Sequence, residues 1–420
     1  MHRDQLVFFL ELLVLLVASR GLGQLFRTLR QPPVVGELVA GILIGPTVLG
    51  ALAPQTFAWL FPIPDGRLLP LPLDAFTSLG VTLLMLAAGL EVDMQMLARE
   101  RRLTLLCAAF ASSVPLLIGV AAGYVLMDRD TLPEHVPPLV FALVMGVNLA
   151  MSALPVIART LLDLGIYRSR IGAVILSAAM LDDVSVWMLF SLAISMSDAP
   201  TGHGHGTVPT LLLTVALLVG TLTVGRALAN RAVPLLQARF PWHGGLVAFT
   251  FASGLAMACL AMWIGIHPVF GSLLAGVAIG SAPAISHDNK EILRKFIVSI
   301  FAPIFFASIG LRLDFAAHFD LRLVSVIFVL GCAGKIAGTL LATRLGRLDW
   351  RESFAVAFGL NSRGIMGIVL GLVALEAQII DRKMFVALAV LGLGTSLLSG
   401  PMMRLSLGNE RLESLRAAGD

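Results

Sequence analysis

The sequence predicts an all-α polytopic membrane protein of about thirteen transmembrane helices, and three observations predict it. The 420-residue chain is 57% hydrophobic and only 13% charged, with a mean hydropathy of +0.90. Charged residues make up about a quarter of an ordinary soluble chain. Its apolar runs approach the roughly 20 residues that carry a helix across a bilayer, and the ~10-residue alternating segments of a transmembrane barrel are not visible.

The first run, near 6–25, has a charged start like that of a signal peptide. Glu11 interrupts it and Arg20 disfavours cleavage after Ala18, so a retained helix is expected. Further spans are expected near 32–51, 73–91, 103–127, 137–161, 170–196 and 208–229. The remaining six fall near 244–263, 266–282, 296–313, 321–345, 353–376 and 383–405. Arginines and lysines gather after the odd-numbered spans, for example Arg99, Arg101 and Arg102 after the third or Arg344, Arg347 and Arg351 after the eleventh. Basic connections stay cytoplasmic, which puts the N-terminus outside and the C-terminus inside. The segment 408–420 reads as a short charged cytoplasmic tail.

The net charge of +4 is dispersed over these connections, so the expected partner is a lipid bilayer and no nucleic acid. Cys107, Cys259 and Cys332 fall in apolar runs and read as packing residues rather than a disulfide framework. HGHG at 203–206 reads as a polar loop rather than a metal site.

Two stretches repeat. Residues 33–45 read PVVGELVAGILIG and residues 268–280 read PVFGSLLAGVAIG, identical at eight of thirteen positions, with all three glycines and the proline among them. The spans that follow end alike, GLEVD at 89–93 and GLRLD at 310–314. The copies lie seven spans apart, and an odd separation turns them opposite ways in the membrane. Inverted repeats are characteristic of carriers, whose sites sit at mid-membrane where helices are broken in corresponding places. The fifth span holds NLAMSALPVIAR (148–159), with Ser152 and Pro155. Its partner, the twelfth, holds AFGLNSRGIMGIVLG (357–371), with Gly359, Asn361, Ser362, Arg363 and Gly364. Proline removes a backbone donor and glycine weakens a helix, so both spans are expected to unwind there. A simple kink or tight glycine packing is the alternative.

Four ionisable residues lie deep in the expected spans: Asp182, Asp183, Lys335 and Arg363. Each charge at mid-membrane costs about 2.5–3.5 kcal/mol on insertion scales, and such residues are functional by default. Adjacent residues on a helix point about 100° apart, so one aspartate can pair with Lys335 while the other faces a watery cavity. A carboxylate that exchanges protons near physiological pH, beside hydroxyl and carbonyl oxygens, suits a small hard cation such as Na⁺. The alternative is a buried ion pair that only fixes helix packing. Arg363 is expected to neutralise helix ends rather than touch the ion. Glu11, Glu37 and His267 read as packing or interfacial capping residues.

The segments QPPVVGELVAGILIGPTVLG, LLMLAAGLEVD, PVIARTLLDLG, AAMLDDVSVW, GIHPVFGSLLAGVAIG and PIFFASIGLRLD resemble, in order and over nearly the whole chain, the monovalent cation:proton antiporter-2 family. The resemblance implies a sodium/proton antiporter fold with inverted repeats and two discontinuous crossing helices, in a homodimer. Residues 1–95 and 240–318 would form a dimerisation panel, 100–200 and 319–407 an ion-transporting core, and 205–235 a linker helix. It implies a secondary active transporter rather than an enzyme, with no catalytic residues and no cofactor, in a bacterial inner membrane. The cargo would be Na⁺ or Li⁺ exchanged for protons by an elevator-type movement; K⁺ is the alternative. By motif position Asp183 matches the essential ion-binding acid that holds the transported cation, and Asp182 the acid that pairs with Lys335. The adjacent aspartates resemble the electrogenic subgroup. Where the family carries Ser-x-Thr-Ala-x-Pro, this chain has Ala150 through Pro155, so Ser152 keeps a hydroxyl and Ala150 does not.

Other classes fit less well. An intramembrane aspartyl protease needs its two acids on different helices facing one water, and a channel gains nothing from inverted repeats.

Overall fold

A computed structural model of the chain is all-α. It describes residues 2–29, 31, 33–64, 69–91, 101–125, 136–167, 169–196, 207–239, 243–282, 285 and 287–417. In chain order the helices are α1 (His2–Thr28), α2 (Pro33–Ile44), α3 (Pro54–Leu60), α4 (Leu71–Leu90), α5 (Arg101–Val125) and α6 (Pro138–Ala150). Next come α7 (Leu154–Leu164), α8 (Arg170–Ser195), α9 (Thr207–Gly220), α10 (Arg226–Arg239), α11 (His243–Ile264) and α12 (Pro268–Gly280). The last are α13 (His287–Arg312), α14 (Phe315–His318), α15 (Leu321–Leu345), α16 (Trp350–Leu360), α17 (Gly364–Glu376) and α18 (Arg382–Ala417). The HGHG motif lies outside the described residues.

Helix starts follow from local chemistry. Proline opens α2, α3, α6 and α12, where its missing amide costs no intrahelical bond. Asp320 caps α15 by accepting from the amides of Arg322 and Leu323, and Asp349 caps α16 by accepting from Glu352. His267 is the cap of α12, its Nδ1 accepting from the Val269 amide at 3.4 Å.

Among the described residues, ten helices are long and apolar enough to cross a membrane, not thirteen. The shortfall falls at three of the expected spans. Those at 137–161 and 353–376 are each divided into two shorter helices. The one at 266–282 is α12, whose 13 residues make about 20 Å of helix against a hydrocarbon core of about 30 Å. Hydropathy reads an apolar run across a helix break or a helix end as if the backbone continued, which is why a sequence count runs high. The protein is a multi-pass membrane protein with discontinuous helices.

The chain divides into two compact units, one of Met1–Val92 with Val208–His318 and one of Asp93–Thr207 with Phe319–Asp420. In the first unit the sequence repeat becomes a packing rule. α2 crosses α13 and α12 crosses α4, and each crossing closes on a pair of glycines. A Cβ at Gly41 would lie 2.8 Å from the Gly310 Cα, and one at Gly276 would lie 2.9 Å from the Gly89 Cα. These are corresponding positions in the two copies, so each copy packs its first glycine helix on the second helix of the other. Small residues admit this approach because lipid offers no hydrophobic drive between helices and packing must supply the contact.

α4 and α13 run antiparallel and are tied at both ends. At one end Arg312 Nη2 is 2.7 Å from Asp74 Oδ1; at the other Arg294 Nε is 3.8 Å from Glu91 Oε1. Between them Phe76 stacks on Phe301 at 5.2 Å. The Thr47 hydroxyl donates to the Leu313 carbonyl at 2.8 Å and accepts from the Phe315 amide at 3.1 Å. Glu11 and Glu37 are both buried in this unit, Glu37 against the space left by Gly23.

The second unit packs α5 against α6 and α15, with α8 bordering α5, α6, α7 and α16. Here too glycines admit neighbours: a side chain at Gly338 would collide with the Phe110 carbonyl. The unit differs from the first in what its centre contains.

Candidate functional site

Inside the second unit two helices stop and restart. α6 ends at Ala150, residues 151–153 are not helical, and α7 begins at Leu154; α16 ends at Leu360, residues 361–363 leave the helix, and α17 begins at Gly364. The segment lengths mirror each other, 13 then 11 residues in the first and 11 then 13 in the second. The causes are local. A proline in the first turn of α7 cannot donate to the helix before it. Gly364 adopts φ +52, and a Cβ there would lie 2.6 Å from Val156 Cγ2 and 2.8 Å from Ala153 Cβ, so only glycine fits this left-handed turn against α7. The interruptions hold each other: the Ala153 amide donates to the Ser362 carbonyl at 2.7 Å. The Ser152 hydroxyl donates to the Leu360 carbonyl at 2.9 Å and so caps the end of α16.

A helix that ends in the interior leaves its last carbonyls without amide donors and carries about half a negative charge at that end. At α6 two cations take this load. Lys335 Nζ donates to the Ala150 carbonyl, and Arg363 Nη2 donates to the Leu149 carbonyl at 2.7 Å. Arg363 also donates to the Gly331 carbonyl of α15 at 2.6 Å and to Asn361 Oδ1 at 2.9 Å, while its backbone amide reaches Thr395 Oγ1 of α18 at 3.3 Å. One buried arginine thereby ties the first interruption, the second and two neighbouring helices, α15 through its guanidinium and α18 through its backbone amide.

Asp182 and Asp183 diverge from α8 as adjacent helical residues must. Asp182 Oδ2 accepts from Lys335 Nζ at 2.8 Å, with both side chains buried. Its other oxygen accepts from the Ser112 hydroxyl of α5. Asp183 is equally buried, yet its Oδ1 has no hydrogen-bond partner among the described residues. Asn148 Oδ1 and the Ser362 hydroxyl are in the same condition. A buried polar atom left unpaired costs about 1–3 kcal/mol, so these three oxygens, together with the hydroxyls of Ser177 and Ser191 on α8, are a standing demand for hydrogen-bonding partners.

All five residues singled out from the sequence, Ser152, Asp182, Asp183, Lys335 and Arg363, belong to this unit. Contacts run from Lys335 to Asp182 and to α6, from Arg363 to both interruptions, and from Ser152 to α16. Sequence reasoning did not single out Ser112, Asn148 or Thr395. Asn148 had a signal, a lone amide in an apolar run just before the break; Ser112 and Thr395 look like any helical hydroxyl. Cys332 does more than fill space, since Asn361 Nδ2 lies 3.5 Å from its Sγ.

Comparison with known proteins agrees with this architecture. The family model described as "Sodium/hydrogen exchanger, transmembrane" matches residues 12–407. The chain is 27% identical over 401 residues to the Na⁺/H⁺ antiporter NhaS4 of Synechocystis, covering 95% of this chain and 96% of that protein. It is 26% identical over 409 residues to the Na⁺/H⁺-K⁺ antiporter GerN of Bacillus cereus, covering 96% of each. It spans about half the length of the curated Arabidopsis thaliana relatives it also matches, 49% for cation/H⁺ antiporter 19. Among solved structures, the sodium proton antiporter MjNhaP1 of Methanocaldococcus jannaschii superposes with a TM-score of 0.69 over 99% of both chains at 14% identity, a likeness of fold.

Proposed function

We propose the function from one premise: the chain belongs to the sodium/hydrogen exchanger family, and is a cation/proton antiporter, a secondary transporter rather than an enzyme. On our reading it exchanges Na⁺ or Li⁺ for protons at Asp183. The observation that carries this reading is the asymmetry of the two acids. Asp182 has a partner on each carboxylate oxygen, whereas Asp183 is buried with an oxygen unpartnered among the described residues. A carboxylate in that position has two stable fillings, a proton or a cation, and cannot hold both. Asp182 with Lys335 keeps the neighbouring charge balanced, Ser152 supplies a hydroxyl oxygen at the first interruption, and Arg363 offsets the helix ends so that charge change is confined to the acids.

Two adjacent acids that accept more than one proton for each cation released would make the exchange electrogenic. The remaining features of the reading are an N-terminus outside and a C-terminus inside the bacterial inner membrane. The protein works as a homodimer by elevator-type movement of the unit bearing the acids. Residues 1–95 and 240–318 serve as the panel and 205–235 as the linker; the grouping of the two panel segments in one compact unit supports the panel.

The test is exchange in reconstituted vesicles. Asp183→Asn should reduce cation-dependent proton movement to background while the protein remains folded and monodisperse; wild-type exchange by this variant would overturn the reading. K⁺ as cargo is the second reading: the absence of a hydroxyl at Ala150 leaves the choice of cation open, and the name of the Bacillus cereus relative includes K⁺. Parallel assays with Na⁺, Li⁺ and K⁺, with and without a membrane potential, separate the cargoes and measure electrogenicity.

A further inference from the structure

We propose that Ser112 is a positioning residue for the Asp182–Lys335 pair, a hydroxyl with two resting orientations that keeps Asp182 hydrogen-bonded whether or not it carries a proton. The proposal rests on the cation/proton exchange reading above, because only a group that gains and loses protons needs such a partner.

The geometry is specific. Ser112 Oγ lies 2.7 Å from the Ala108 carbonyl, one turn back on α5, and also within hydrogen-bond reach of Asp182 Oδ1. A serine hydroxyl has one hydrogen and two lone pairs, so it cannot donate to both oxygens at once. The bond to the residue four back is the ordinary one for a helical hydroxyl, as Ser185 makes to Leu181 and Thr160 to Val156. Across from Ser112 stands a carboxylate, and a hydrogen bond to an ionised acceptor is roughly twice as strong as a neutral one. With Asp182 ionised, the hydroxyl hydrogen therefore turns to Oδ1. With a proton on Oδ1, the carboxyl O–H donates to Ser112 Oγ and the serine hydrogen turns back to the Ala108 carbonyl. Both arrangements leave every one of these atoms bonded, and the change is a single rotation about the Cβ–Oγ bond.

Among the described residues, the other groups hydrogen-bonded to the pair do not offer this choice. Lys335, on Oδ2, is a donor only, and it is simultaneously engaged by the Ala150 carbonyl. The other charges whose fields reach Lys335 are Arg363, from the second interruption, and Asp183, from α8 itself. Ser112 is thus the neutral, two-way partner among fixed charges. Its job is to hold the Asp182 carboxyl in plane with Lys335 through a protonation cycle, so that Asp183 is the group that exchanges its filling.

The experiment compares wild type, Ser112→Ala, Ser112→Thr and Asp183→Asn as full-length protein in proteoliposomes. It records cation-dependent proton flux with Na⁺ as the probe, together with the carboxyl C=O stretch in infrared difference spectra taken across a pH step. The band lost in Asp182→Asn identifies the Asp182 carboxyl. Ser112→Ala should lower the maximal exchange rate about tenfold, the scale of one charge-assisted hydrogen bond, with the cation KM within about twofold because Ser112 does not touch Asp183. It should also move the Asp182 band to higher wavenumber, as loss of a hydrogen bond does. Ser112→Thr, which keeps the hydroxyl, should restore both. Wild-type rate and band in Ser112→Ala, a Ser112→Thr variant as defective as Ser112→Ala, or no Asp182 carboxyl band at any pH of activity would each overturn the proposal. Exchange retained by Asp183→Asn would instead overturn the function reading, whatever the serine variants do.

Discussion

The first unit closes its helix crossings by deleting side chains, whereas the second interrupts its helices and fills the gap with charge. At Gly41 with Gly310, and again at Gly276 with Gly89, helices without an interruption at the crossing meet backbone to backbone. At 151–153 and 361–363 the backbone leaves the helix, carbonyls lose their amides, and Lys335, Arg363 and Ser152 supply the missing donors. Ion pairs in the first unit sit at the helix ends, as Asp74–Arg312 and Glu91–Arg294 do. The second has such a pair too, Arg411 with Glu352, but it adds one in the middle, Asp182–Lys335. One repeat principle thus serves two purposes. Glycine contact gives rigidity without chemistry; interruption gives chemistry whose stability depends on a few cations.

That contrast can be broken in graded ways. The largest effect is expected from Gly276→Val. The new side chain meets backbone rather than a movable side chain, so the α12–α4 crossing must part; size-exclusion chromatography in detergent should show little monodisperse protein. Gly41→Val should do the same at the α2–α13 crossing, and tolerance of either would refute the equivalence of the two crossings. Lys335→Ala comes next. It removes the partner of a buried carboxylate and the donor to Ala150, and thermal unfolding in micelles should register a loss of about 3–5 kcal/mol. The double variant Asp182→Leu with Lys335→Met should regain much of that stability, since apolar replacement of a buried pair is often neutral, but none of the exchange.

Gly364→Ala is expected to cost about 1–3 kcal/mol, from strain at a positive φ and the nearby Val156 side chain, and to lower exchange because it disturbs the interruption. The smallest effects belong to the helix ends of the first unit. Asp74→Asn should cost about 1 kcal/mol, since its partner Arg312 is buried. Arg294→Gln, at a pair with both side chains about 40% exposed, should change Tm by less than a degree or two, the size of about 0.5 kcal/mol or less. Reversal of that order would mean that the ends, not the crossings, hold the unit together.

Much of this was legible in the residues. The repeat at 33–45 and 268–280 announced two oppositely oriented copies, and Pro155 and Gly364 pointed to the interruptions because one removes a backbone donor and the other weakens a helix. The divergence of Asp182 from Asp183 follows from helical geometry alone. What remained hidden has a common cause: it involves groups that every residue or many residues share. The carbonyls of Leu149 and Ala150 carry no sequence signature, so the second role of Lys335 and the anchoring of Arg363 could not be assigned to particular atoms. Ser112 sits in ASSVP, a stretch indistinguishable from ordinary helix packing, and its reach to Asp182 depends on how α5 packs on α8. The span count went astray for the same reason, since hydropathy contains no information on where the backbone ends a helix.

The brevity of α12 has a consequence for how the protein meets its bilayer. Twelve of its 13 residues are buried among neighbouring helices, so protein, not acyl chains, satisfies its ends and flanks. Its length is therefore released from matching membrane thickness, a constraint that still binds exposed helices such as α1 and α5. Thinner or thicker lipid would be sensed at the perimeter, leaving the glycine crossing between α12 and α4 untouched.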